Sequence, residues 1–222
     1  MFKVYVLMVK TKEKDFVEID YIGKIKETGQ IFDLTDKDLA KKNNIYNAKA
    51  KYGSRVICLG ENQILPAIDK FLVDKEIGKN YSLELKAEES FGKKDPSLIK
   101  VMPSDILLKQ KIRPFHGLQI HAEGLMGTIR SVTGGRVTID FNHPLAGKNL
   151  LYELKIGKVV EKDEEKLKSL IENMLNLSND EYVLLVEGIK AKVSLKVAIP
   201  ILAKKEVIEK AKKLVPALSL EI

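Results

Sequence analysis

The stretch "FVEIDYIGKI" (16–25) constrains the fold more than any other part of the chain. Apolar and polar residues alternate, with Val17, Ile19 and Tyr21 on one face and Glu18 and Asp20 on the other. A period of two predicts a strand with one buried face. "ETGQIFD" (27–33) follows, and Thr28-Gly29 marks a turn into a second strand, so the pair reads as a hairpin. The polar stretch 36–51 interrupts as a helical bulge or long loop, and "SRVICLG" (54–60) returns as a strand. In 61–85, Ile64, Ile68 and either Phe71 or Leu72 recur at helical spacing before "YSLEL" alternates again. Pro66 suits the first turn of that helix, where its missing N–H had no partner anyway. One short helix laid across a curled antiparallel sheet is the expected result.

A break follows at "FGKKDPS" (91–97), and the segment 93–140 carries its own dense glycine and proline punctuation. Its short alternating runs predict a small β-rich domain near the lower size limit for folding alone. "LLYELKIGKV" (150–159) then resumes strand character, so 93–140 reads as an insertion between 1–92 and 141–158 of one domain. Residues 159–222 read as a C-terminal α-β-β-α-β domain. In its first helix Leu167, Leu170, Ile171, Met174 and Leu175 share a face and Asp163 is the expected N-cap. A hairpin about Gly188, a helix from about Leu202 to Leu214 and a final strand "ALSLEI" complete it. The expected fold class is α+β: an antiparallel half-barrel sheet with a short helix, an inserted β-rich domain and the C-terminal domain.

Several chemistries are excluded by what the sequence lacks. It has no phosphate-binding glycine loop, dinucleotide fingerprint, nucleophile elbow or paired-histidine metal helix. The three histidines, His116, His121 and His143, lack metal-ligand spacing, so no metal and no cofactor is expected. The single cysteine, Cys58, forbids an internal disulfide framework and fits a reducing compartment. The apolar run "VYVLMV" (4–9) is too short to span a bilayer and lacks the flanks of a signal peptide, so a cytoplasmic location is expected.

What remains is a set of apolar and aromatic residues with one carboxylate, of types that form core in most proteins. Their arrangement in order is more specific. "DYIGKIKETGQIFDLT", "LGENQILPAIDKFLVDKEIGKNYSLEL", "EESFGKKDP" and "VTIDFNHPLAGKNLLYEL" resemble the ordered signatures of the FKBP-type peptidyl-prolyl cis-trans isomerases. The last resembles the end of the insert-in-flap domain in the long, SlyD-like branch, and the C-terminal extension resembles the long archaeal members. The resemblance covers about residues 15–158.

That resemblance implies an FKBP-like half-barrel and a pocket for the X–Pro bond. Tyr21, Phe32, Phe91 and Tyr152 would be its aromatic walls and Ile64 and Leu65 one side, the Leu65 N–H holding a substrate carbonyl. Ile68 would be the floor, Asp33 the polar residue beside the twisting amide, and Leu145 and Ala146 the rim. Ile68 stands where many members have tryptophan, and Phe91 where they have tyrosine. In "NHPLAG", His143 reads as part of a turn in which Pro144 and Gly147 aim Leu145, and not as an acid or base.

The formal charge of +7 is concentrated in the insert, where residues 93–140 hold 8 basic and 4 acidic side chains. Such an excess raises a second reading, a nucleic-acid- or chain-binding module with a degenerate isomerase pocket. Aromatic residues for stacking bases are sparse there, which disfavours nucleic acid. The resemblance implies that the insert binds unfolded chains, through the clusters Leu98, Ile99, Val101 and Met102, and Ile106 and Leu107. The expected partners are proline-containing, unfolded or partly folded polypeptides, with no membrane. The final strand is a sheet edge through which the C-terminal domain would form a homodimer, with a monomeric accessory role left open.

Overall fold

The computed structural model describes residues 9–122 and 124–222, so all of the "VYVLMV" run except Val9 lies outside the described residues. The chain divides into two compact units. One joins the chain up to Leu85 to Leu150–Ile222, and the other is Lys86–Asn149.

In the first unit, β1 (Phe16–Ile25) buries Phe16, Val17, Ile19, Tyr21, Gly23 and Ile25 and leaves Glu18, Asp20, Ile22 and Lys24 half-buried, as its alternation dictates. A turn with Gly29 at φ +70°, a backbone region open to glycine, leads into β2 (Ile31–Leu34). The short helix α1 (Lys37–Lys42) is capped by Asp36, whose carboxylate accepts the N–H groups of Asp38 and Leu39. After β3 (Arg55–Cys58), α2 (Pro66–Phe71) opens on its proline, and β4 (Asn80–Leu85) follows.

The second unit contains β5 (Ile99–Pro103), α3 (Ser104–Lys109), β6 (Gln119–Ala122), β7 (Leu125–Thr133) and β8 (Arg136–Asp140). Its sheet runs β5-β8-β7-β6, wholly antiparallel, over a small core of Leu107, Ile120, Ile129, Val137 and Ile139. The cluster "DILL", expected as part of a β-rich segment, is helical in α3. One helical turn drives Leu107 into the core while Ile106 and Leu108 stay outside.

The chain re-enters the first unit with β9 (Leu150–Val159), which pairs antiparallel with β1 from Val17 to Ile25 and with β4 on its other side. The sheet order is β2-β1-β9-β4, and β3 pairs with the first part of β1. Ile19, Leu150, Leu154 and Ile156 are almost wholly buried, each contributing ~2 kcal/mol of apolar burial.

The C-terminal elements are α4 (Asp163–Met174), β10 (Tyr182–Glu187), β11 (Lys190–Leu195), α5 (Ile201–Leu214) and β12 (Ser219–Glu221). β10 and β11 form an antiparallel hairpin at Gly188, and β12 lies parallel to β11 at the sheet edge, carried there by α5. Asp163 is not the N-cap of α4. Lys162 holds that place, and Asp163 is the first helical residue, where its carboxylate accepts from Lys166 Nζ at 2.9 Å. A carboxylate there still suits the positive end of the helix. Leu167, Leu170, Ile171, Val207 and Ala211 share one hydrophobic cluster with Phe16 and Cys58, and Lys210 of α5 forms an ion pair with Glu61. The C-terminal elements therefore pack directly on β1 and β3.

Candidate active site

Gly23 is the hub of the site. On one side it pairs with Asp33 of β2, on the other with Tyr152 of β9, and Tyr152 pairs in turn with Leu83 of β4. Residues opposite one another in antiparallel strands share a face, so this row sets Asp33 and Tyr152 on one side of the sheet. Tyr21, two residues before Gly23, lies on the same side.

The β1–β2 register shifts between Gly23 and Lys24, which pairs with Ile31, leaving Phe32 as the extra residue. Such a bulge re-aims a side chain. The Phe32 ring comes over Gly23 and meets Tyr152 edge-on, with centroids 5.8 Å apart. A methyl group on Gly23 would stand 2.7 Å from Phe32 Cζ, so the close approach needs glycine. Tyr21 and Tyr152 tilt against each other at 6.2 Å.

The Tyr21 hydroxyl donates to Asp33 Oδ2 at 2.9 Å and lies 3.4 Å from Arg55 Nη1, which donates to it. Its backbone N–H donates to Thr35 Oγ1 at 3.0 Å, and Thr35 returns its own N–H to the Tyr21 carbonyl. Burial, then the Asp33 charge, pushes the Tyr21 phenol well above the usual tyrosine range; Arg55 opposes this and does not outweigh it. Burial likewise raises the Tyr152 phenol, helped by Asp33 and Tyr21. Both stay neutral, so Tyr21 remains a donor. Asp33 itself is exposed.

A separate device places Ile64, Leu65 and Ile68. Asp69, 2% exposed, accepts from the Gly60 and Asn62 N–H groups at 2.9 and 2.8 Å. Those bonds tie the loop before α2 to the helix itself. Ile64 and Leu65 are half-buried at the helix entrance, and Ile68 is wholly buried.

Phe91, Leu145 and Ala146 belong to the second unit. The Phe91 ring stacks flat on His143 at 4.3 Å. His143 Nδ1 accepts the Leu145 N–H at 3.2 Å and its carbonyl accepts the Ala146 N–H at 2.9 Å, while the Gly147 N–H donates to the Gly92 carbonyl. His143 thus holds a turn together and leaves Leu145 and Ala146 buried. Nearby Asp140, 2% exposed, accepts from Lys94, Arg130 and Asn142. Burial raises its carboxyl, but the Lys94 and Asn142 hydrogen bonds outweigh this and hold it well below the usual carboxylate range.

Of the client-binding candidates, Ile99, Val101 and Ile106 are exposed, Val101 to 61%. Leu98 and Met102 are half-buried, and Met102 packs against the core of the second unit. Leu107 leaves the set: at 5% exposure it is core, because α3 turns that side inward. Exposed Leu108, Phe115, Leu125, Met126 and Val132 were not predicted. Gly23, Arg55 and Asp69 were missed as well, since neither period nor motif distinguishes them. Among the described residues no group of three His, Cys, Asp or Glu comes together to hold a metal, and no helix is long and apolar enough to cross a membrane.

Residues 8–108 match the family model described as FKBP-type peptidyl-prolyl cis-trans isomerase, and residues 100–145 match that of the FKBP26 IF domain. Residues 8–108 are an FKBP-type peptidyl-prolyl cis-trans isomerase domain. It is 29% identical over 154 residues to the short-type peptidyl-prolyl cis-trans isomerase of Methanocaldococcus jannaschii, covering 69% of this chain and 97% of that one. It is 28% identical over 113 residues to the SlyD isomerase of Helicobacter pylori, covering 49% and 60% of the two chains. With the SlyD isomerase of Escherichia coli it shares 26% over 112 residues, 49% and 57%. As an FKBP-type isomerase it acts on peptide bonds that precede proline, and the Tyr21–Phe32–Asp33–Tyr152 cluster lies in the first unit.

Proposed function

We propose that this FKBP-type isomerase accelerates proline-limited folding. Tyr21, Phe32, Asp33, Ile64, Leu65, Ile68 and Tyr152 act on the X–Pro bond, and the exposed apolar surface of the second unit captures unfolded clients. The observation that carries the reading is the aromatic cluster around Gly23, with one exposed carboxylate held by a neutral phenol.

Rotating an amide means breaking nitrogen–carbonyl resonance, a barrier of about 18–20 kcal/mol. Cis and trans X–Pro lie close in free energy, so the exchange is slow and not unfavourable. No covalent intermediate or proton shuttle is needed. Apolar rings that grip the proline and prefer the twisted amide over either planar form suffice. Removing the amide from water also weakens its charge-separated resonance form. Among the described residues the Leu65 N–H has no acceptor, which leaves it free for a substrate carbonyl.

Capture of clients is supported by β5, an edge strand whose Ile99 and Val101 are exposed on one face. Such an edge can pair with an extended chain while its side chains supply apolar contact. Nucleic acid is disfavoured because Lys94 and Arg130 are engaged by Asp140, and Lys93 by Glu88.

The test compares isomerisation of a short X–Pro peptide with refolding of a proline-limited protein. Asp33→Ala should slow both. Val101→Ser with Phe115→Ser should leave peptide turnover within about twofold and slow refolding several-fold, because surface substitutions barely disturb the fold. Equal loss in both assays from the Val101/Phe115 variant would refute client capture by the second unit. Wild-type turnover unchanged by Asp33→Ala would refute the assigned pocket.

A further inference from the structure

We infer that a cleft beside the aromatic cluster is a specificity subsite favouring an acidic residue in the peptide that flanks the isomerised proline. The inference rests on the pocket proposed above. Phe32 and Asp33 help to wall a cavity of about 640 Å³, within the range of ligand sites. The rest of the wall comes from two segments far apart in sequence. One is the loop before β3, with Lys49 and Lys51, together with Arg55 at the start of β3; the other is the turn after α4, with Asn176, Ser178 and Glu181.

The loop is a built turn. Asn47 Oδ1 accepts the Lys49 N–H at 2.9 Å, the Asn47 N–H donates to the Tyr52 hydroxyl at 3.0 Å, and the Tyr46 and Tyr52 rings stack at 5.5 Å. Lys51 Nζ then reaches the C-terminal turn and donates to Asn176 Oδ1 and the Leu177 carbonyl at 3.1 and 3.0 Å. Those acceptors are neutral, so the ammonium is positioned but its charge is not cancelled. Among the described residues, none of Lys49, Lys51 and Arg55 has a carboxylate within 4.0 Å.

The two carboxylates on the wall already hold donors: Asp33 takes the Tyr21 hydroxyl, and Glu181 takes the Ser178 N–H at 2.7 Å. Three cations thus face two occupied anions beside the residues that would grip the proline. A peptide carboxylate is the group this wall would attract. The C-terminal elements, by supplying Asn176 and Leu177, set the position of the central cation.

The test uses the full chain and X–Pro peptides that differ only by Asp or Asn at one of the two positions on either side of the X–Pro pair. Affinity is followed by NMR titration and isomerisation by exchange spectroscopy, each at low and high salt. One register should favour Asp by roughly three- to tenfold in affinity and in kcat/KM, falling toward unity in high salt. Lys49→Glu, which leaves the Lys51–Asn176 contact intact, and Lys51→Met should each shrink that ratio while turnover of the Asn peptide is unchanged. An Asp/Asn ratio of one in every register, with isomerisation intact, overturns the subsite and leaves the isomerase pocket standing. An Asp preference in binding without acceleration of any peptide keeps the subsite and removes the pocket's catalytic role. Neither preference nor acceleration overturns both.

Discussion

Tyr21 and Asp33, on neighbouring antiparallel strands, are joined by a 2.9 Å hydrogen bond in which a buried neutral phenol donates to an exposed carboxylate. The bond fixes the carboxylate beside the aromatic rings without neutralising it. Tyr21→Phe removes the donor and little else. It should lower kcat/KM about three- to tenfold, the equivalent of ~1 kcal/mol. Asp33→Ala should lower kcat/KM at least as much, yet change unfolding free energy by less than about 0.5 kcal/mol because its side chain faces water. Parallel peptide kinetics and urea titrations check both; a large stability loss in Asp33→Ala would mean that the carboxylate supports the fold.

Gly23→Ala tests the ring packing by steric means alone. The added methyl meets Phe32 Cζ at 2.7 Å and Tyr152 Cε1 at 3.1 Å, so at least one ring must move. Overpacking of this kind costs about 1–3 kcal/mol. The expected outcome is a lower urea midpoint with an unchanged slope, and a drop in kcat that exceeds the change for Gly29→Ala at an open turn.

Isomerisation should be flat between about pH 6 and 9, because no step transfers a proton and the Tyr21 and Tyr152 phenols are raised beyond their ordinary range of about 10. A group whose folded pKa is raised lends stability that is fully present below its unfolded pKa and lost as pH rises through the folded value. Stability should therefore decline above about pH 10, less steeply in Tyr21→Phe than in wild type. A rate that falls on acidification within that range would instead mean that a general base takes part in the reaction.

Asp69→Ala should damage the site from a distance. It strands the Gly60 and Asn62 N–H groups, at a cost of about 2–3 kcal/mol. It also frees the loop that carries Ile64 and Leu65, so KM for the peptide should rise. Asp69→Asn, which keeps an acceptor oxygen, should recover part of both losses. Unchanged KM in the alanine variant would separate this loop from substrate binding.

Asp140 makes the second unit acid-sensitive. Its depressed carboxyl lends stability that is present above the unfolded value of about 4 and lost as pH falls through the folded one. Amide protection factors in β5 and β8, measured relative to intrinsic exchange at each pH, should fall between pH 4 and 2 in wild type. Asp140→Asn should show the lower protection already at pH 7, with little further loss on acidification.

The alternation in "FVEIDYIGKI", the glycine turn and the proline-opened helix made β1, β2 and α2 readable from the sequence, because each follows from contacts local in the chain. Tyr21, Phe32, Asp33 and Tyr152 were legible only through the order of their motifs, since as residue types they resemble core. By itself the sequence determined the main strands and helices, α3 excepted, and which residues resemble the family's signature. Only the tertiary structure decided that a register shift at Gly23 swings Phe32 onto Tyr152, that Leu107 is core while Val101 is exposed, and that Asp69 and Asp140 are buried with donors around them. Those facts depend on pairing between strands distant in sequence, which local propensity does not encode. The clasp between Lys51 and Asn176, 125 residues apart, is of the same kind. It exists because α4 packs against β3, and no pattern in either segment announces the other.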